Sequence, residues 1–251
     1  DLEWFRQHAS TTCDVVDISD ETSLIAVQGP KAVGIVNKLG DGTLADMPSF
    51  TFRDTTIAGV PCMVARTGYT GEDGFEIACR NEDATKLWGA LLDAATPVGG
   101  LPVGLGARDS LRLEAKLPLY GNDIDEEHTP LEAGLGWAVK LDKGDFFGAS
   151  VLREQKAKGL TRQLVGFKLD DSARAIPRHG YPILDRTAAV PDLVDLGVVT
   201  SGGPAIYVGG AIGLGYVPSK YAAPGTQLTI DCRGKDATAT VVSGKFYKRP
   251  Q

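Results

Sequence analysis

The chain has 251 residues, of which 43% are hydrophobic and 23% charged, enough apolar side chains to build two domains or one large one, so disorder is excluded. Lysine plus arginine number 26 against 32 aspartate plus glutamate, and the net charge of −6 argues against a surface that neutralises a run of nucleic-acid phosphates. No apolar stretch has the length of a membrane span, so neither a nucleic acid nor a membrane is an expected partner, and the chain reads as soluble.

The opening residues Asp1 to His8 form an amphipathic helical stretch in which Trp4 and Phe5 need cover, and no targeting segment is visible. Residues 23 to 28 read as a short strand, and Gly29-Pro30 turns the chain into a helix over 31 to 39 that stops at Gly40. Residues 50 to 58 and 60 to 65, joined at Ala58-Gly59, have the pattern of a β-hairpin. Three glycines, Gly68, Gly71 and Gly74, then force a tight, left-handed-tolerant loop before a strand. In that strand Phe75, Ile77 and Cys79 share the core face and Glu76 points the other way.

Asn81 is the expected cap of a helix over 82 to 95 with Leu87 and Leu91 on its buried stripe. Gly104 to Ala115 reads as a further helix with Arg108 and Arg112 on one face. A turn-rich acidic span follows, then structured pieces at 129 to 139 and a helix over 149 to 158. From Gln163 onward the pattern changes to short strands at 163 to 168, 194 to 199, 211 to 217, 227 to 232 and 236 to 242, separated by glycine and proline turns. The expected organisation is therefore an α+β region over 1–155 and a β-barrel over 156–251.

Most of the tempting signals have plain structural readings. Gly104-Leu105-Gly106 is not a dinucleotide fingerprint, because Asp109 stands where the third glycine belongs and no strand precedes it. The cluster Gly209, Gly210, Gly213 and Gly215 fits bends in a barrel wall. The acidic run Asp123, Asp125, Glu126, Glu127 is out of register for a calcium loop and reads as a solvated turn or a docking edge. His8, His128 and His179 lie in unrelated surroundings and read as surface or turn residues, and no serine occupies a nucleophile elbow. Cys13, Cys62, Cys79 and Cys232 are far apart without a CxxC pair, which suits packing in a reduced compartment and no metal site. Glu76 leaves two readings open. A carboxylate behind a glycine loop can clasp two adjacent N–H donors of a pterin or guanine edge, or it can be an ordinary exposed glutamate.

Taken together, Arg66 to Ile77, the block Gly104 to Ala115, the runs Leu119 to Ile124, Thr129 to Leu135 and Lys143 to Gly148, and the shorter Val199 to Gly202 and Ile212 to Val217 resemble, in one order, the glycine cleavage system T protein family. The resemblance implies a tetrahydrofolate-dependent aminomethyltransferase with a cloverleaf of mixed α/β folate-binding domains followed by a β-barrel. It implies that Glu76 holds the pterin edge, that Tyr69 lines the folate slot and that Arg108 binds a carboxylate of the folate tail. Tyr247 is either a further ligand contact or a plain aromatic at the end of the barrel. The family's acidic residue lies in a portion upstream of Asp1, so no catalytic residue is assigned here.

The implied co-substrate is tetrahydrofolate and the implied partner is the lipoylated H protein. The implied setting is the cytoplasm, or the mitochondrial matrix for a eukaryotic source. Two other readings remain open, a non-catalytic folate-binding remnant and a related folate-dependent demethylase.

Overall fold

The computed structural model describes residues 1–9, 13–186 and 194–249. These form two compact units, one made of Asp1–Gly68 with Glu72–Val103, the other of Tyr69–Gly71 with Gly104–Gln251.

In the first unit, helix α1 (Leu2–His8) leaves Trp4 and Phe5 exposed. Strand β1 (Thr22–Gln28), helix α2 (Ala32–Leu39), the hairpin β2 (Phe52–Ile57) and β3 (Val60–Ala65), strand β4 (Gly74–Arg80) and helix α3 (Asn81–Ala95) follow. The four strands pair antiparallel in the order β1-β4-β3-β2. Val60, Cys62 and Val64 of β3 and Phe75, Ile77 and Cys79 of β4 turn to one face, where Val36, Leu87 and Leu91 of the two helices complete a core with Ile57 and Leu44. This is the parity expected for β4, and it leaves Glu76 on the face away from the helices.

Asn81 does not cap α3. Arg80 holds the N-cap position, and the Asn81 side chain instead donates to the Asp20 carbonyl at 2.6 Å and accepts the Ser23 hydroxyl at 2.7 Å. The asparagine anchors the start of β1, so its side chain is no longer available to the helix N–H groups.

The second unit contains helix α4 (Leu105–Glu114), helix α5 (Ala149–Lys158) and strands β5 (Arg162–Leu169), β6 (Pro182–Asp185), β7 (Val194–Pro204), β8 (Ala211–Pro218), β9 (Gln227–Asp231) and β10 (Asp236–Val242). The strands close into a six-stranded barrel in the order β10-β5-β8-β7-β6-β9 around Phe167, Ile183, Val199, Leu228, Ile230 and Ala239. β6 was not expected from sequence. It is four residues long and opens on a proline, too short for a periodic signal.

Residues 104 to 155 are part of this second unit, because Leu113 of α4 packs with Ala205, Ile212 and Leu214 of the barrel segment. Thr129 and Glu132 form a reciprocal pair, with the Thr129 N–H donating to Glu132 Oε2 at 2.9 Å and the Glu132 N–H to the Thr129 hydroxyl at 3.2 Å. Arg162 of β5 donates to Glu132 Oε1 at 3.0 Å and so ties this segment to the barrel.

Gly213 and Gly215 serve close approach in the barrel wall. Both lie within β8, where neighbours leave no space for a side chain. A Cβ on Gly215 would lie 2.5 Å from Ile183 Cδ1 and 2.7 Å from the Val198 carbonyl oxygen, and the backbone atom cannot yield. Gly215→Ala is therefore expected to destabilise the barrel by about 1–3 kcal/mol through overpacking, read as a lower urea midpoint. An unchanged midpoint would refute this account of the glycine.

Candidate functional site

The glycine loop between β3 and β4 is organised by two side chains. The Arg66 guanidinium grips Asp73 with Nε at 3.2 Å from Oδ1 and Nη2 at 2.8 Å from Oδ2, and its third nitrogen reaches the Ala45 carbonyl at 2.7 Å. Gln28 Nε2 donates to the carbonyls of Thr67 and Phe75 at 3.1 and 3.2 Å. A Cβ on Gly68 or Gly74 would overlap the Gln28 amide, so these two glycines serve close approach. Of the loop's three glycines only Gly71 has positive φ, at 77°, which corrects the expectation of a generally left-handed loop.

Gly71 lies against the second unit's own chain, where its Cβ would come within 2.7 Å of Ala115 Cβ.

Glu76 emerges from β4 between Ala26 of β1 and Ala65 of β3, its direct cross-strand neighbours. Two alanines leave room beside the half-buried carboxylate. On the same sheet face Leu24, Met63 and Phe52 are exposed, so Glu76 has apolar side chains around it, with Asp54 of β2 the other acid of that face. The Thr67 hydroxyl donates to Glu76 Oε2 at 2.5 Å and fixes the rotamer. Thr67 was not singled out from sequence, although its place nine residues before Glu76, at the other end of the loop, is the signal that could have found it. A half-buried carboxylate, held on one oxygen and flanked by small residues, can accept paired N–H donors from a flat ring lying on the sheet.

In the second unit, the structure brings Tyr69 and Arg108 together. The Arg108 guanidinium lies 4.7 Å from the centre of the Tyr69 ring. The Tyr69 hydroxyl donates to the Pro118 carbonyl at 2.5 Å, and burial pushes its phenol above the usual tyrosine range. Both residues line a cavity of about 390 Å³ together with Arg112, Asn122, His179 and Ser201. Arg108 has no carboxylate partner among the described residues and is exposed, which leaves its fork available to an anion. Arg112, one turn further along the same helix, has the opposite fate. It is buried and engaged by Asp109 at 2.6 Å, by Asp123 at 2.7 Å and by the Ser201 hydroxyl at 2.8 Å.

One sequence expectation fails here. Asp123 is no part of a solvated turn. It is fully buried and accepts from Arg112, from the Leu119 N–H at 2.9 Å and from the hydroxyls of Thr200 and Ser201. His128 lies in a bend, half-buried, with its ring stacked on Tyr216 at 3.9 Å and its Nδ1 2.7 Å from Asp125. Thr200, Ser201 and Tyr216 come from the barrel strands, far along the chain, and local composition carried no trace of them.

Tyr247 belongs to the second unit, with Glu114 and Tyr207 as its neighbours, and it is not among the residues lining the Arg108 cavity. Cys62, Cys79 and Cys232 are buried free thiols, and burial raises all three, Cys62 to about 11, so they are poor nucleophiles at neutral pH. No helix among the described residues is long and apolar enough to cross a membrane.

Comparison with known proteins adds to this geometry. Residues 1–143 match the model of the GCVT N-terminal domain and residues 162–248 match the glycine cleavage T-protein C-terminal barrel domain. Curated proteins named aminomethyltransferase from Bacillus cereus and Shouchella clausii are each 45% identical over 99% of this chain. The chain spans 66% of the length of those relatives. The crystal structure of glycine cleavage system aminomethyltransferase T from Bartonella henselae, 36% identical, superposes with a TM-score of 0.77 over 90% of this chain and 60% of that one. With the mixed α/β region and the closed barrel both matched, and in the same order, the chain belongs to the glycine cleavage T-protein family.

Proposed function

We propose that the protein works as a tetrahydrofolate-dependent aminomethyltransferase of the glycine cleavage system, taking a one-carbon unit from the aminomethylated lipoyl arm of the H protein and releasing ammonia. The observation that carries this reading is the Glu76 carboxylate, fixed by Thr67 and standing half-buried between two alanines on the sheet face away from the helices. A reduced pteridine presents two neighbouring N–H donors on a flat ring, and that pattern matches a carboxylate set in an apolar surface. Arg108, backed by the Tyr69 ring, supplies a fork for the carboxylate at the far end of the folate. The relatives' names support the same activity.

The reaction asks little covalent work of the protein. The carbon's bonds to nitrogen and sulfur are replaced by bonds to two folate nitrogens, so its oxidation level is unchanged, and ammonia and the reduced lipoyl thiol leave. The nucleophile is a folate nitrogen, and holding it against the methylene carbon in the right geometry accounts for much of the rate. Glu76 orients the pteridine, Arg108 anchors the tail, and Tyr69 and Tyr247 offer aromatic faces. A domain division at 155/156 falls in the gap between the two family models, which end at 143 and begin at 162, whereas the compact units divide at 103/104.

The test is ammonia release from aminomethylated H protein and tetrahydrofolate in the presence of this chain. Release above the uncatalysed rate is expected. Tetrahydrofolate binding without ammonia would replace this reading by a non-catalytic folate binder, and absence of both would overturn it.

A further inference from the structure

A second cavity, of about 500 Å³, lies wholly within the second unit and is lined by residues of the 129–148 segment and the first turn of α5. It shares no lining residue with the Arg108 cavity. Its size is that of a small-molecule site, for which about 300–1,000 Å³ is usual. Most of the wall is apolar. Pro130, Val139, Phe146, Phe147, Val151 and Leu152 contribute to it, yet Phe147 and Val151 remain 70% and 59% exposed. Large apolar side chains held open to water around one hollow are a cost to the free chain, and covering them with an apolar body would remove it.

The charged groups of this wall have one sign. Lys140 and Lys143 line the cavity, whereas Asp142 and Asp145 of the same loop do not. Arg153 of α5 organises the loop, donating to the Leu141 carbonyl at 3.1 Å and to the Gly144 carbonyl, and its guanidinium lies 3.9 Å from the Asp145 carboxylate. The Lys143 ammonium is held 4.9 Å from the centre of the Phe146 ring, and the Lys140 ammonium donates to the Trp137 carbonyl at 3.1 Å. Neither lysine forms an ion pair among the described residues. Gly148, the N-cap of α5, has no side chain to cap that helix and belongs to the same wall, so the positive end of α5 adds to the field of the lysines. A cleft with apolar walls and charge of one sign concentrates the opposite charge.

We propose that this cavity binds a small amphipathic anion, an apolar body ending in one carboxylate or phosphate group, with Lys140 and Lys143 at the head group and Phe146, Phe147 and Val151 around the body. The inference goes beyond the proposed function and does not rest on it, because none of these residues belongs to the Glu76 face or to the Arg108 cavity. A neutral ligand would leave the two ammonium groups unanswered, and a fully polar anion would leave the apolar wall in water.

The test is calorimetric titration of the 251-residue chain with octanoate, octyl phosphate and neutral octanol, together with a diazirine-bearing octanoate whose covalent label is located by mass spectrometry. At least one of the two anions is expected to bind more tightly than octanol, the tighter of them identifying the head group, and the label is expected within residues 129–152. The double variant Lys140→Ala/Lys143→Ala should weaken binding of that anion about three- to tenfold and leave octanol binding and the melting temperature as in wild type, because both side chains are exposed. Val151→Asp, also at an exposed position, should weaken binding of the anion by setting a like charge in the wall. The inference is overturned if octanol binds as tightly as both anions, if the double variant binds the anion as wild type does, if the label falls outside 129–152, or if none of the three probes binds. The proposed function stands in each of those cases, since ammonia release is measured separately.

Discussion

Asp123→Ala is expected to lower the stability of the second unit by about 3–5 kcal/mol, the cost of leaving a buried charge without its partner. Asp123 is fully buried and Arg112 is 2% exposed, so water cannot replace the lost carboxylate. Arg112 keeps Asp109, but that side chain is largely exposed and lies on its own helix. Thr200, Ser201 and the Leu119 N–H lose their acceptor at the same time. For a unit of roughly 150 residues this corresponds to a drop of about 6–20 °C in melting temperature. Asp123→Asn keeps the shape and loses the charge, so a smaller loss is expected. Calorimetry of the two variants decides the matter, and a melting temperature equal to wild type in Asp123→Ala would show that the buried pair contributes nothing. The consequence reaches the cavity, because Arg112, Asn122 and Ser201 form part of its wall beside Arg108.

Glu76→Gln should leave the fold intact and weaken tetrahydrofolate binding about tenfold to a hundredfold, the worth of a hydrogen bond to a charged group. The substitution is isosteric, and the alanines on either side leave room for an amide. Thr67 can still donate to the amide oxygen, which then directs the NH₂ group at the ring's own donors. Two donors face each other where an acceptor is needed, and that mismatch is the source of the loss. Titration of the wild-type and variant chains with tetrahydrofolate measures it. Equal affinities would remove Glu76 from the site and with it the main support for the proposed function.

Much of the fold was legible in the order of residues alone. The alternation through Phe75, Ile77 and Cys79 put those residues inside and Glu76 outside, and the structure agrees. The hairpin at 52–65, the helices at 32–39, 81–95, 105–114 and 149–158, and five of the six barrel strands were likewise expected. All of these depend on patterns within about a dozen neighbouring residues, which is the range over which side-chain periodicity carries information.

The candidate site was less legible. Arg108 and Tyr69 could be named from their motifs, but their ring contact joins residues on either side of the whole α3 helix. Glu114 looked like one more charge on a helix and proved to be buried under a turn ninety-three residues later.

The sequence by itself determined which segments become helix or strand and which side of each faces a core, because backbone preference and side-chain periodicity are local properties. Only the tertiary structure decided which polar side chains are buried and what they hold. Asp123 meets Ser201 seventy-eight residues away, Tyr216 reaches back to the Asp123 carbonyl, and Asn81 is drawn from its helix to Asp20. A carboxylate in a turn-rich stretch has the same local composition whether it faces water or a guanidinium, and the difference lies in a partner that only chain folding delivers.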